Sequence, residues 1–339
     1  MSGNASFRFD DIAVVSLAAC DAPVVVTSDE IDERLTEFYE RVGARPGLLE
    51  SLAGISERRQ WPEGVSFMDA AAMAGEQAIQ KSGIDRSRIG LVMDTSVCRE
   101  RLEPSSSVTV HDSLGLPSTC MNFDVSNACL GFLNGMHIAG AMIESGQIEY
   151  ALIVDGEGTR EIQNNTLDRL LAPDSTMDDL FSNFASLTLG SGSTAMVVGR
   201  HADNPGSHRI VRGFFRADTV HHDLCVGSLE SMRTDTAALL EAGTSLAKLA
   251  WDDAEKSDWL NMDRYILHQI SQVHTAAMID VLGFDAAKVP RSFPTHGNMG
   301  PAAVPFTLAG AADTLSTGDR VLCLGIGSGL NCSVVELLW

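Results

Sequence analysis

The sequence predicts an α/β fold built from two similar halves, and three observations lead there. Apolar, β-branched runs of strand length recur along the chain and alternate with segments of helical period. The runs are nearly continuous rather than alternating, so helices should cover both faces of the sheet they form. Two stretches also share one plan. Asn127 to Gly156 and Asn298 to Gly327 each read as a helix, a Ser-Gly or Thr-Gly stop, and an apolar strand ending in glycine. Such a repeat is a duplicated α/β unit rather than a short-period solenoid. His201-Ala202-Asp203-Asn204-Pro205-Gly206-Ser207 is the clearest hinge, and it separates a half at 1–200 from a half at 208–339.

In chain order, Phe9 to Ala18 reads as the first strand. Ser28 should cap a helix that buries Ile31, Leu35, Phe38, Tyr39 and Val42. Gly54 to Trp61 reads as a basic, aromatic loop: either a surface turn or, through Arg58 and Arg59, a site for a phosphorylated ligand. Ser66 to Lys81 is a helix of small residues. Ile89–Asp94, Tyr150–Gly156 and Thr194–Gly199 are buried strands, and Leu167 to Phe184 is an acidic cap or insertion. After the hinge come a strand at Arg264–Leu267, a helix from His274 to Leu282, a helix from Pro301 to Leu315, and strands at Arg320–Gly327 and Cys332–Leu338.

Composition narrows the partners. The 339 residues are 45% hydrophobic and 20% charged, a globular profile. A net charge of −21 argues against nucleic acid, anionic membranes and, more weakly, an acidic carrier protein. Phe9 to Val15 is too short and too acid-flanked for a signal sequence, and no apolar run nears the ~20 residues of a membrane span. The seven cysteines are scattered without a CxxC pair, so neither zinc nor a disulfide framework is indicated, and cytoplasm is the expected location.

The chemistry centres on Asp124-Val125-Ser126-Asn127-Ala128-Cys129-Leu130-Gly131-Phe132. A strand precedes it, and Phe132, Met136, Ala139 and Ile143 follow at helical spacing. Cys129 should therefore sit at a helix N-terminus, whose free N–H groups and dipole favour a thiolate. The stretch by itself fits a small buried cysteine equally well. His268 ends a buried strand, either as an active-site residue or as a satisfied core histidine. Asn298, in His296-Gly297-Asn298-Met299-Gly300, reads as a helix cap or as a site residue. Ser328 lies in Gly325-Ile326-Gly327-Ser328-Gly329, a turn able to aim an N–H at an oxyanion. Glu103, before Pro104 in a charged loop, is ordinarily just solvated.

Taken together, a cysteine on a strand–helix turn, His-Gln, and Gly-Asn-x-Gly in that order resemble the thiolase superfamily, and more closely its β-ketoacyl-ACP synthase III branch. Within that branch the chain looks most like the OleA-type enzymes, which condense two fatty acyl-CoA molecules head to head. Leu102-Glu103-Pro104-Ser105, Val154-Asp155-Gly156-Glu157, His274-Thr275-Ala276-Ala277 and Leu324 to Ser333 carry this closer likeness. Gly131 is a mild departure, expected to reshape the acyl tunnel. The resemblance implies a five-layered αβαβα thiolase fold, a homodimer (or a heterodimer with a related subunit), and no cofactor beyond the CoA of the substrate. It implies Cys129 as acyl-accepting nucleophile, an oxyanion hole from the N–H groups of Cys129 and Ser328, and a second from His268 and Asn298. Glu103 would be the base, reaching into the neighbouring subunit, with Arg58 and Arg59 towards the CoA entrance. The product would be a 2-alkyl-3-oxoacyl lipid precursor of the olefin or β-lactone type. The rivals are a decarboxylating synthase using malonyl-ACP and a cysteine acyltransferase or thioesterase.

Overall fold

A computed structural model describes residues 5–228, 230–253 and 259–339. Its first half is a five-stranded sheet in the order Ile12–Asp21, Gly192–Arg200, Tyr150–Glu157, Ile89–Asp94, Met121–Asp124. The first two junctions are antiparallel and the last two parallel. The second half repeats that plan with His208–Ala217, Asn331–Leu338, Arg320–Gly327 and Arg264–Leu267, again antiparallel, antiparallel, parallel. The halves join edge to edge where Ala13 and Val14 pair with Arg209 and His208. The predicted hinge is a closed turn between them, with His201 Nδ1 and Ser207 Oγ 3.0 Å apart. Ser6–Arg8 crosses over and pairs with the second half.

The layers follow from which residues are apolar. Helices Gly131–Glu144 and Ala303–Ala311 are apolar on most sides and lie between the sheets. Phe132, Met136, Ile143, Val304 and Leu308 share one core with Met93 and Ile153 of the first sheet and with Ile266 and Val335 of the second. Outside the first sheet packs Phe67–Ser82. Ser66 and Asp69 cap it reciprocally, Gly83 stops it in the left-handed region (φ 65°), and alanines on its inner face allow a close approach. Outside the second sheet pack Thr236–Asp253 and Gln272–Leu282. The result is helix, sheet, helix, sheet, helix: the αβαβα thiolase arrangement.

Several local expectations are corrected. Thr27, not Ser28, is the N-cap of the first helix, and Ser28 Oγ donates instead to Ile55 O at 2.6 Å. That helix breaks at Leu35 into Ser28–Arg34 and Thr36–Val42. The expected basic loop is largely a strand, Glu57–Gln60, paired with Val24–Thr27. The acidic segment forms two helices, Arg160–Leu171 and Met177–Leu187, whose Leu167, Leu170, Leu180 and Phe184 close a separate small core.

Candidate active site

The two halves bring the ends of their parallel strands to one cavity of about 810 Å³. Cys129, His268, Asn298, Ser328 and Glu157 line its polar part, and Leu239, Leu240, Ala247, Trp251, Met278 and Leu282 are among its apolar lining. A cavity this large, apolar and supplied with a few convergent polar groups suits a small-molecule ligand with a long hydrocarbon part.

Each polar group is held by backbone geometry. Strand Met121–Asp124 runs into a tight turn in which Ala128 takes φ +44°, a conformation that L-residues avoid. Leu130 N–H donates to Asn127 O (3.0 Å), and Gly131 then opens the 14-residue helix. Asn127 ties the turn together: its Nδ2 donates to Asn134 Oδ1 (2.7 Å), and its Oδ1 accepts from Asn331 Nδ2 (3.2 Å) of the other half. The glycine-rich turn lies directly against the nucleophile. A Cβ on Gly327 would come within 3.2 Å of Asn127 O and 3.4 Å of Cys129 N, so the turn carrying Ser328 packs closely against the nucleophile's backbone.

His268 extends the ladder one step past its strand, its N–H donating to Leu324 O at 2.8 Å. Burial, and then His274, lower its pKa to about 3, so the ring is neutral at physiological pH. The Asn298 backbone is clamped on both sides, its N–H donating to Thr188 O and its O accepting from Gly190 N–H, both at 2.9 Å. Its Oδ1 accepts from Gly300 N–H (3.0 Å), which orients the amide and leaves Nδ2 as a donor.

The thiol departs from expectation. Burial, followed by the charges of Cys225, Glu157 and Asp155, pushes Cys129 up to about 12; its own backbone N–H only partly opposes this. Desolvation and buried carboxylates outweigh the helix terminus, so the resting group is a thiol rather than a standing thiolate.

Comparison with known proteins decides the family. Residues 123–219 match 3-oxoacyl-[acyl-carrier-protein (ACP)] synthase III, and residues 253–339 match the C-terminal part of the same family. The acyl-CoA:acyl-CoA alkyltransferase of Xanthomonas campestris is 43% identical over 98% of this chain and 99% of its own. That of Shewanella oneidensis is 36% identical over 98% and 100%. A crystal structure of a cysteine-to-serine variant of X. campestris OleA, with bound lauric acid and lauroyl-CoA, matches with a TM-score of 0.95 at 42% identity, covering 98% of this chain and 100% of that one. The chain belongs to the OleA-type branch of the thiolase superfamily.

Within this OleA-type fold the predicted site residues fall into two groups. Cys129, His268, Asn298 and Ser328 share the cavity. Glu103 does not line it: the glutamate is exposed on the loop at the mouth, whose neighbours Arg99, Glu100, Arg101 and Leu102 do. Neither Arg58 nor Arg59 lines the cavity. Arg58 is 0% exposed, with Nη1 donating to Ser28 Oγ (3.1 Å), and burial lowers its pKa to about 10. It is an interior residue, which corrects its expected place at the CoA entrance. Arg59 is partly exposed and pairs with Glu57 at 2.9 Å. Gly131 is corrected too. A Cβ there would sit 2.5 Å from Thr95 O, so glycine serves helix–strand packing rather than the tunnel.

Glu157, His274 and Cys225 are among the cavity residues that carried no chemical role in the sequence reading. For Glu157 a signal existed. Asp94, Asp155 and Glu157 end apolar strands, and acids in such positions are either buried or at a site. Burial raises all three, Asp94 to about 6 and Glu157 to about 7. Among the described residues no group of three or more His, Cys, Asp or Glu is arranged to hold a metal ion, and no helix is long and apolar enough to cross a membrane.

Proposed function

We propose that the protein is an acyl-CoA:acyl-CoA condensing enzyme, joining two fatty acyl-CoA thioesters by a non-decarboxylative Claisen reaction. The observation that carries it is the convergence of Cys129, His268, Asn298 and Ser328 on one large apolar cavity with a glutamate-bearing loop at its mouth. In the first step Cys129 Sγ attacks the thioester carbonyl. The Cys129 proton ends on the departing CoA sulfur, so no net charge is left in the cavity. The N–H groups of Cys129 and Ser328 receive the developing oxyanion. The second acyl-CoA then binds with its thioester oxygen between His268 and Asn298 Nδ2. An α-proton is a weak acid, so its removal needs both a base and a held enolate oxygen. Glu103 takes the proton, and the carbanion attacks the Cys129 thioester. Cys129 leaves as a thiolate and recovers the proton from Glu103, closing the cycle. The product is a 2-alkyl-3-oxoacyl-CoA, or the β-keto acid after hydrolysis, a precursor for olefin- or β-lactone-type lipids.

Glu103 serves the cavity of a second subunit in a homodimer. Its exposure outside its own chain's cavity supports this, as does the neighbouring Leu102, an apolar side chain left 98% exposed. Arg59 keeps a partly exposed head for the CoA end. Seven free cysteines fit a cytoplasmic setting.

The test uses one substrate. Purified protein incubated with lauroyl-CoA alone should release CoA and give the two-chain product by mass spectrometry. Product that forms only with malonyl-CoA or malonyl-ACP, with carbon dioxide released, establishes the decarboxylating reaction instead.

A further inference from the structure

The loop that carries Glu103 is fastened at both ends by buried carboxylates. At its root, Val97 N–H donates to Glu157 Oε1 (2.6 Å) and Cys98 N–H to Glu157 Oε2 (3.3 Å). The Cys98 thiol adds a bond to Gly158 O at 3.2 Å. At its far end, Asp124 accepts from Ser106 N–H and Ser107 N–H, both at 2.9 Å, where helix Ser106–Ser113 begins. The same carboxylate holds Arg99 at 2.7 Å, with the aspartate side chain 7% exposed. Arg101 then braces the crest, donating to Pro104 O at 3.3 Å. Between these anchors Leu102 and Glu103 stand out from the surface.

We propose that Glu157 and Asp124 are positioning residues for the base: their carboxylates set the two ends of the loop and thereby where Glu103 points. This rests on the reading of Glu103 as the base. Glu157 has a second effect, because it also faces the nucleophile. Its ionisable neighbours are Asp155 two residues back on its own strand, Asp94 at the end of the adjoining strand, Cys98 on the loop and Cys129 across the cavity, and its negative charge helps hold the Cys129 thiol up. Glutamine at 157 would keep the shape but turn an amide N–H₂ towards a backbone N–H, releasing the loop root. It would also remove the charge that opposes thiolate formation.

A merely structural residue would depress every step together; this one predicts opposite signs. In Glu157→Gln, acylation of Cys129 by lauroyl-CoA should persist, and the pH midpoint for alkylation of Cys129 should move down. Condensation should fall by about 10–10²-fold, the scale of a misplaced catalytic group. Asp124→Asn should lose condensation similarly while the Cys129 midpoint stays put. Glu103→Ala is run beside them. If it is dead for condensation while both other variants condense normally, the positioning proposal is overturned and the base reading stands. If Glu103→Ala itself condenses normally, the base reading fails and the proposal goes with it. Parallel loss of acylation and condensation in Glu157→Gln would assign it a general structural role and also overturn the proposal.

Discussion

Cys129 shows how two effects at one residue are weighed. The helix terminus favours a thiolate, but by tenths of a kilocalorie to about 1 kcal/mol. Desolvation in the cavity wall beside buried carboxyls acts more strongly in the other direction, to about 12. Free protein should therefore alkylate at Cys129 about tenfold faster per pH unit from 7 to 10, without a plateau, as mapped by peptide mass spectrometry. A plateau below pH 8 would show a stabilised thiolate. The acyl group from lauroyl-CoA should also map to Cys129 alone and vanish in Cys129→Ala; an adduct on Cys98 or Cys120 would remove the assignment. Glu103 makes the complementary case. Thiolate attack does not use it, so Glu103→Ala should still acylate Cys129 while condensation drops by the ~10²–10⁴-fold typical of a lost general base. A normal condensation rate would reduce Glu103 to a solvated loop residue.

At the scale of elements, the site depends on glycine turns that press one chain segment against another. Gly190 is the tightest. Its N–H holds the Asn298 carbonyl, and a Cβ there would overlap the carbonyl oxygen of His296. Gly190→Ala should cost at least the ~1–3 kcal/mol of an overpacked core, read as a lower denaturation midpoint. It should also slow condensation more than acylation, because in the proposed reaction Asn298 holds the second substrate's oxygen. An unchanged midpoint would mean that the segment yields without strain. The chain is punctuated for these turns, with Gly297 and Gly300 both at positive φ around Asn298 and Met299.

At the scale of the molecule, the duplicated halves bring the proposed catalytic set to one cavity: Cys129 from the first, His268, Asn298 and Ser328 from the second. The proposed base, Glu103, comes from a loop facing outward. A mixed dimer of Cys129→Ala with Glu103→Ala subunits contains one cavity with an intact cysteine and a partner's intact glutamate. That preparation should recover condensation while each mutant homodimer stays inactive. If exchanged mixed dimers remain dead, the base works within its own subunit.

By itself the sequence determined the main strands and helices of each half, their duplicated plan and several of the residues able to do chemistry. Those features are local or periodic: apolar runs of strand length, helical spacing after Cys129, and glycines where the chain must turn. Several things were decided only in three dimensions. Arg58 looked like a phosphate ligand, because a lone basic loop and a buried strand carry the same residues; pairing with Val24–Thr27 turned its side chain inward. Thr27 rather than Ser28 became the cap because Ser28 found a tertiary partner in Ile55 O. The hairpin Cys225–Gly227 with Met232–Thr234 and the helix Thr236–Asp253, which wall the cavity, went unread because no motif marks them. Above all, the state of the Cys129 thiol follows from desolvation and from Asp155 and Glu157, charges set by how strands end against one another. A pKa reports the surroundings in space, and neighbours in sequence are only a small part of them.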